Sequence, residues 1–273
     1  LKSKSNLIEI NLGDGEKQYL YYDDSILLKR LSLYPYVQLG VMVLFVLIVY
    51  FALISTKKAE QNKVWVGLSK ETAHQLGTPI SSLMAWMDLL ESSGVDPSLL
   101  SDMNKDVNRL SVIAERFSKI GSKPEMDLIY VIEVLENATE YMRRRVSDKV
   151  LITTHLPSDA EGAMVCLSLF EWVIENLCKN AVDAMNGEGR IDVYMTSEKQ
   201  QIYIDIKDTG KGIARKNFKT VFNPGYTTKK RGWGLGLTLA KRIIEDYHAG
   251  RIYVKDSEVG KGTTFRIELK RVV

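Results

Sequence analysis

Val37–Ile54 is a run of 18 residues, nearly all apolar and without a single charge. As a helix rising about 1.5 Å per residue it covers roughly 27 Å, close to the hydrocarbon thickness of a bilayer. Tyr34, Tyr36 and Tyr50 stand near its ends, where interfacial aromatics sit. Lys57, Lys58 and Lys63 come after it and favour a cytoplasmic C-terminal side, against the weaker pull of Lys29 and Arg30 at the other end. The alternative is a buried core helix, which length and hydrophobicity disfavour. The expectation is one span, residues 34–55, in the cell inner (plasma) membrane, with residues 56–273 on the cytoplasmic side.

Residues 1–33 are short and mixed. Leu7–Leu12 and Gln18–Tyr22 flank Gly13-Asp14-Gly15, the pattern of a β-hairpin. They read as the tail of an extracytoplasmic sensor region. The chain starts at Leu1 rather than Met, so a longer protein is expected, with a signal peptide or an earlier span ahead of this one.

Behind the span, Leu76, Ile80, Leu83, Met87 and Leu90 recur at three- and four-residue steps within a helical pattern from Thr56 to about Glu91. Ser55–Ala73 has no proline and one glycine, Gly67, so span and pattern are expected to join as one helix. Asp96 and Pro97 supply a cap and first residue for a second helix with an apolar stripe of Met103, Val107, Leu110, Ala114 and Phe117. Two such helices, in a domain of residues 56–121, bury little alone. Two copies in a four-helix bundle would cover both stripes, so a homodimer is expected.

Gly121-Ser122-Lys123-Pro124 reads as a hinge. Residues 122–273 are then predicted as an α+β domain. Helices are expected at about 129–144, 168–185 and 235–247, and strands near 150–155, 190–196, 201–207, 251–256 and 263–270. Contiguous strands predict a mixed, mostly antiparallel sheet packed on helices. Residues 209–233 lack a regular pattern, the mark of a lid or a disordered loop.

A net charge of +3 gives no reason to expect nucleic-acid binding. Cys166 and Cys178 form neither a CxxC pair nor a metal cluster and read as buried thiols in a reducing compartment.

Chemistry concentrates in two distant stretches. His74 lies about 200° round the helix from Leu76, away from the apolar stripe, and at neutral pH keeps a ring nitrogen free to attack. Thr78 lies one turn on, and Pro79 leaves the Gln75 carbonyl short of its usual donor. Downstream, Asn176, Asn180 and Asp183 form a polar stripe on a helix whose other face is apolar. Asp208-Thr209-Gly210-Lys211-Gly212 ends a strand, Asn223–Lys229 and Gly232–Leu237 come next, and Gly260-Lys261-Gly262-Thr263 opens the last strand. Taken singly, the stripe could be a solvated face and the glycine runs ordinary turns.

In this order the segments resemble a sensor histidine kinase of two-component systems, over about residues 60–273. The resemblance implies an ATP-binding domain of the type shared by DNA gyrase, mismatch-repair and chaperone ATPases, with ATP and Mg²⁺ as cofactors. It makes His74 the phospho-acceptor and Thr78 the residue that orients water for dephosphorylating the partner. It assigns Asn180 to Mg²⁺ and Asn176 to the phosphates. Asp208 becomes the acceptor for the adenine amino group. Asp183, Gly210, Gly212, Thr227, Thr228, Lys229, Gly232, Gly234, Leu235, Gly236, Leu237 and Thr263 complete the nucleotide residues. The implied partner is a separate response-regulator receiver domain. The chain departs from the family at Gln75, where an acidic residue is common. An amide cannot take a proton at neutral pH, so Gln75 only positions the ring, or a carboxylate such as Glu71, or solvent, accepts the proton. The ATPases of this fold carry a water-activating glutamate four residues before the metal-binding asparagine. Here that position is Asn176, which favours transfer to His74 over hydrolysis. The competing readings are an ATPase and a non-catalytic, nucleotide-gated scaffold.

Overall fold

The computed structural model describes residues 6–11, 17–22, 26–122, 124–159, 161–229 and 234–272. They form two compact units, Leu1–Val64 and Trp65–Val273. In the first, β1 (Asn6–Asn11) pairs antiparallel with β2 (Lys17–Tyr22), as the hairpin pattern predicts. The expected turn at Gly13–Gly15 lies outside the described residues. Helix α1 (Ile26–Ser92) begins in this unit and ends in the second. Its stretch Leu31–Lys57 is long and apolar enough to cross a membrane and has no buried residue. Ser55–Ala73 is helical throughout, as expected.

In the second unit α1 is followed by α2 (Pro97–Gly121), whose N-cap Asp96 accepts the Ser98 N–H at 2.9 Å. Ile80 and Met87 of α1 bury against Val107 and Ala114 of α2, with Leu76 packed alongside. Leu83, Met103 and Leu110 of the same stripes stay exposed, because one hairpin closes only a narrow seam. Gly121, the first residue of the expected hinge, is the last residue of α2, with Ser122 as its C-cap. A Cβ at Gly121 would stand 2.9 Å from the Lys70 backbone nitrogen, so glycine lets α2 end against α1. Lys123 lies outside the described residues.

The rest is an α+β domain: β3 (Asp127–Tyr130), α3 (Val131–Arg143), β4 (Val150–His155), β5 (Gly162–Val165), α4 (Leu167–Ala184), β6 (Gly189–Glu198), β7 (Gln201–Asp208), α5 (Gly236–Arg242), β8 (Arg251–Glu258) and β9 (Gly262–Lys270). Five strands form a sheet of order β4-β6-β7-β9-β8, parallel only between β4 and β6, which is the mixed, mostly antiparallel sheet expected. Two details differ from the sequence-based expectation. Residues 127–130 pair with β5 as a small ribbon rather than opening α3, and the helix expected at 235–247 changes to a π turn at Ile243–Tyr247. The region 209–233 contains two short 3₁₀ turns, Arg215–Asn217 and Thr220–Phe222.

The core follows from two periods. Ile202, Ile204 and Ile206 point inward at every second position of β7, as Ile191, Val193 and Met195 do on β6. Phe170, Val173, Ile174, Leu177 and Ala181 recur at helical steps on α4 and close onto them. Each large side chain so buried contributes roughly 1.5–3 kcal/mol. Cys166 and Cys178 are buried and unpaired, and burial pushes the Cys178 thiol up to about 12, leaving it protonated and inert.

Helix α2 docks on this domain through α4. The Arg116 guanidinium donates to both Glu175 carboxylate oxygens, at 2.9 and 2.6 Å, and lies 5.7 Å from the Trp172 ring centre. Lys119 donates to Ser168 Oγ at 2.8 Å, and the Tyr247 hydroxyl to the Ile120 carbonyl at 2.6 Å. The π turn has its own anchor in buried His248. Its Nε2 accepts the Cys166 N–H at the head of α4 (3.0 Å), which fixes Nδ1 as the protonated nitrogen that donates to the Ile243 carbonyl (2.7 Å).

Burial lowers the His248 pKa, and the bond from Nδ1–H to the Ile243 carbonyl offsets this only in part. On acidification below about pH 6.5 the unfolded chain takes a proton that the folded ring resists. Stability should therefore be intact above that pH and fall as pH drops toward the lowered folded value. Thermal melts between pH 7.5 and 5.5 should show this slope. His248→Ala should flatten it and cost about 1–3 kcal/mol at pH 7.5.

Candidate functional site

Helix α4 carries the polar stripe on the side turned from the core. Asn176 and Asn180 are half-buried, and Asp183 is exposed. The loop leaving β7 is bound to the C-terminal end of the same helix, where the Lys211 N–H donates to the Ala184 carbonyl at 3.0 Å. This contact sets Gly210 against Ala184, the residue after Asp183.

Asp208 is buried at the end of β7, and its Oδ1 accepts the Gly210 N–H at 2.8 Å. Burial pushes its carboxyl up, while the amides of Gly210 and Thr263 pull it back without cancelling the rise. An acidic group buried against amide donors is suited to receive one more hydrogen bond from a ligand. Two glycines make this corner. Gly262 has φ +126°, and a Cβ there would stand 1.9 Å from the Asp208 carbonyl oxygen. Gly212 has φ +70°, and its Cβ would stand 2.1 Å from the Glu258 carbonyl oxygen. Only glycine lets the β7 exit and the β8–β9 turn close on each other. Thr263 is buried behind them, its hydroxyl 2.9 Å from Ser257 Oγ.

The remaining segments close over α4. Thr228 Oγ1 accepts from Lys211 Nζ at 2.8 Å, and Thr227 Oγ1 from the Lys229 N–H at 3.1 Å. Lys229 Nζ donates to Asn180 Oδ1 at 3.1 Å and pairs with the Asp183 carboxylate. Gly236, the first residue of α5, faces the Asn176 side chain, and Gly234 lies against Gly225 and Tyr226. Leu235 and Leu237 pack partly into the core, so their side chains anchor the start of α5. Gly232 lies outside the described residues. The donor set fits a hard divalent cation: an amide oxygen and a carboxylate already hold a positive charge between them.

The other stretch lies elsewhere in the unit. His74 is exposed on a groove between α1 and α2 lined by Gly67, Lys70, Glu71, Ser111 and Glu115. Gln75 Nε2 donates to Glu71 Oε1 at 2.7 Å, and Thr78 Oγ1 to the His74 carbonyl at 3.4 Å. Among the described residues, none of α4 or α5 lines that groove. The Arg116–Glu175 pair escapes sequence reasoning, because nothing local announces a bond across 59 residues.

Residues 168–273 match the family model described as histidine kinase-, DNA gyrase B- and HSP90-like ATPase. Sporulation kinase E of Bacillus subtilis (strain 168) is 29% identical over 220 residues, 78% of this chain and 29% of that protein. Sensor histidine kinase ZraS of Salmonella typhimurium is 28% identical over 227 residues, 80% of this chain and 48% of that protein. The chain thus spans less than half of either relative. Full-length ShkA in complex with AMPPNP superimposes with a TM-score of 0.58 at 19% identity, over 76% of this chain and 46% of that one. ThkA in complex with the response regulator protein TrrA gives 0.52 at 18% identity, over 79% and 64%. At such identities the likeness establishes the fold.

Proposed function

We propose, from a histidine-kinase-type ATPase domain at residues 168–273 that is homologous to two-component sensor kinases, that this chain transfers the γ-phosphoryl group of ATP to His74. The observation that carries the reading is the presence in one chain of an exposed histidine and a polar α4 stripe without a free base. Asn176 stands where the related ATPases keep a water-activating glutamate. The neighbouring carboxylate, Glu175, is held at both oxygens by Arg116. Hydrolysis therefore lacks its base, and the silent-scaffold reading leaves the exposed His74 without a role.

In this reading, residues 1–33 end an extracytoplasmic sensor region and 34–55 cross the plasma membrane. Residues 56–121 dimerise and carry His74, and 122–273 bind nucleotide in the cytoplasm. Asp208 accepts the adenine amino group. Asn176, Thr227, Thr228 and the backbone of Gly210, Gly212, Gly232, Gly234 and Gly236 line the nucleotide, with Leu235, Leu237 and Thr263 behind them. Asn180, with Asp183 nearby, would hold Mg²⁺, which when bound draws charge from the terminal phosphate. The His74 ring nitrogen attacks the γ-phosphorus in line, the new N–P bond forms, and the bond to the bridging oxygen of ADP breaks. The ring must then shed a proton. Glu71 lines the same groove as His74 and is oriented by the Gln75 amide, which supports Glu71 as the acceptor. A response-regulator aspartate then takes the phosphoryl group, and Thr78 orients water when that aspartyl phosphate is hydrolysed.

Incubation with γ-³²P-ATP should give acid-labile, alkali-stable label that His74→Ala abolishes without changing ATP affinity. Glu71→Gln should slow labelling about 10²-fold or more. Label persisting in His74→Ala would remove the acceptor assignment, and free phosphate without labelled protein would identify an ATPase.

Asp208 gives a pH signature. Its ionised form is the better acceptor, and its pKa is raised. Nucleotide affinity should therefore begin to fall, as pH drops, above the ordinary aspartate range of about 3.9. Calorimetric titration with ADP should show this loss in the parent chain. Asp208→Asn should bind more weakly at pH 7.5 and lack that component of the pH dependence.

A further inference from the structure

The cation position on α4 is already filled by the chain itself. Lys229 Nζ lies 3.1 Å from Asn180 Oδ1 and is paired with the Asp183 carboxylate. The amide nitrogen of Asn180 is buried without a partner among the described residues, so its oxygen is the atom engaged with the cation. The backbone at Lys229 is tied to Thr227 at 3.1 Å, but its side chain remains 40% exposed and has room to swing. An ammonium and a divalent ion cannot share these two oxygens, because like charges at contact distance repel.

We propose that Lys229 is the exchangeable counter-cation of the metal half-site. In the nucleotide-free protein its ammonium neutralises Asp183 on the face where phosphates must arrive. It yields Asn180 and Asp183 to the metal that accompanies the nucleotide. The inference rests on the ATP and Mg²⁺ reading and goes beyond it, since it assigns Lys229 a role opposite in sign with and without metal. Removing the ammonium leaves Asp183 bare against a metal-free nucleotide and removes a competitor against a metal-bound one.

The test is calorimetric titration of the full chain in detergent with ADP, once in EDTA and once in Mg²⁺. Lys229→Met should weaken metal-free ADP binding about tenfold and tighten Mg²⁺·ADP binding, so that the enhancement by Mg²⁺ grows more than about tenfold. Adding Asp183→Asn should restore the metal-free affinity, and Lys229→Arg should keep the parental pattern, which separates a charge effect from misfolding. Equal weakening with and without Mg²⁺ would identify a plain phosphate ligand and overturn the inference, as would no change in either. Absence of ADP binding by the parent chain would remove the nucleotide reading and this inference with it. Parental binding with an unaltered metal dependence in Lys229→Met would remove this inference alone.

Discussion

The two faces of α4 set the terms for the rest of the domain. One face must be apolar to close the sheet, and Phe170, Val173, Ile174, Leu177 and Ala181 leave it almost no exposed surface. The other face is thereby turned outward and free to carry polar groups that a helix interior does not favour. Asn176, Asn180 and Asp183 occupy it at steps of four and three, and later segments attach on it or at its end. The β7 exit attaches at Ala184, the Thr227–Lys229 strap reaches Asn180 and Asp183, and α5 begins at Asn176. Tilting α4 would move all of these together, and its two ends are pinned by His248 and by Lys211.

The same helix also faces α2. Glu175 precedes Asn176 by one residue, about 100° round the helix, and is bound to Arg116. Both side chains are mostly buried, so breaking one partner would strand the other's charge. Helix α4 therefore carries the polar stripe and also contacts α2, the helix that packs against the His74 helix. The ion pair also has a chemical consequence. A carboxylate engaged at both oxygens is a poor proton acceptor, which bears on Glu175 as a candidate base beside the polar stripe.

Much of this was legible in the sequence, because period-2 and period-3.6 patterns report directly on burial. The five sheet strands and the helices α2 and α4 fall within a few residues of where those patterns put them, as does the end of α1, whereas α1 starts at Ile26, eight residues before the expected span. What the patterns miss is short or distant. The ribbon of β3 and β5 has four residues per strand, too few to alternate visibly, and Tyr130 and Leu128 are exposed despite their apolar character. The change to a π turn after Arg242 answers to His248, whose partner Cys166 is 82 residues away. At the site, residue types and order were readable, whereas the contacts of Lys229 with Asn180 and Asp183, 49 and 46 residues off, depend on the fold. Gly121 reads as a hinge from its neighbours, and its close approach to Lys70 is a contact the sequence does not announce.

The central claim is that four separated segments make one nucleotide pocket around α4. Hydrogen–deuterium exchange of the full chain, titrated with Mg²⁺ and a non-hydrolysable ATP analogue, tests it most directly. Protection is predicted in Asn176–Asp183, in Asp208–Gly212, in Thr227–Lys229 and at the start of α5, all with one dissociation constant. Protection confined to the groove between α1 and α2, or segments responding with separate constants, would contradict it.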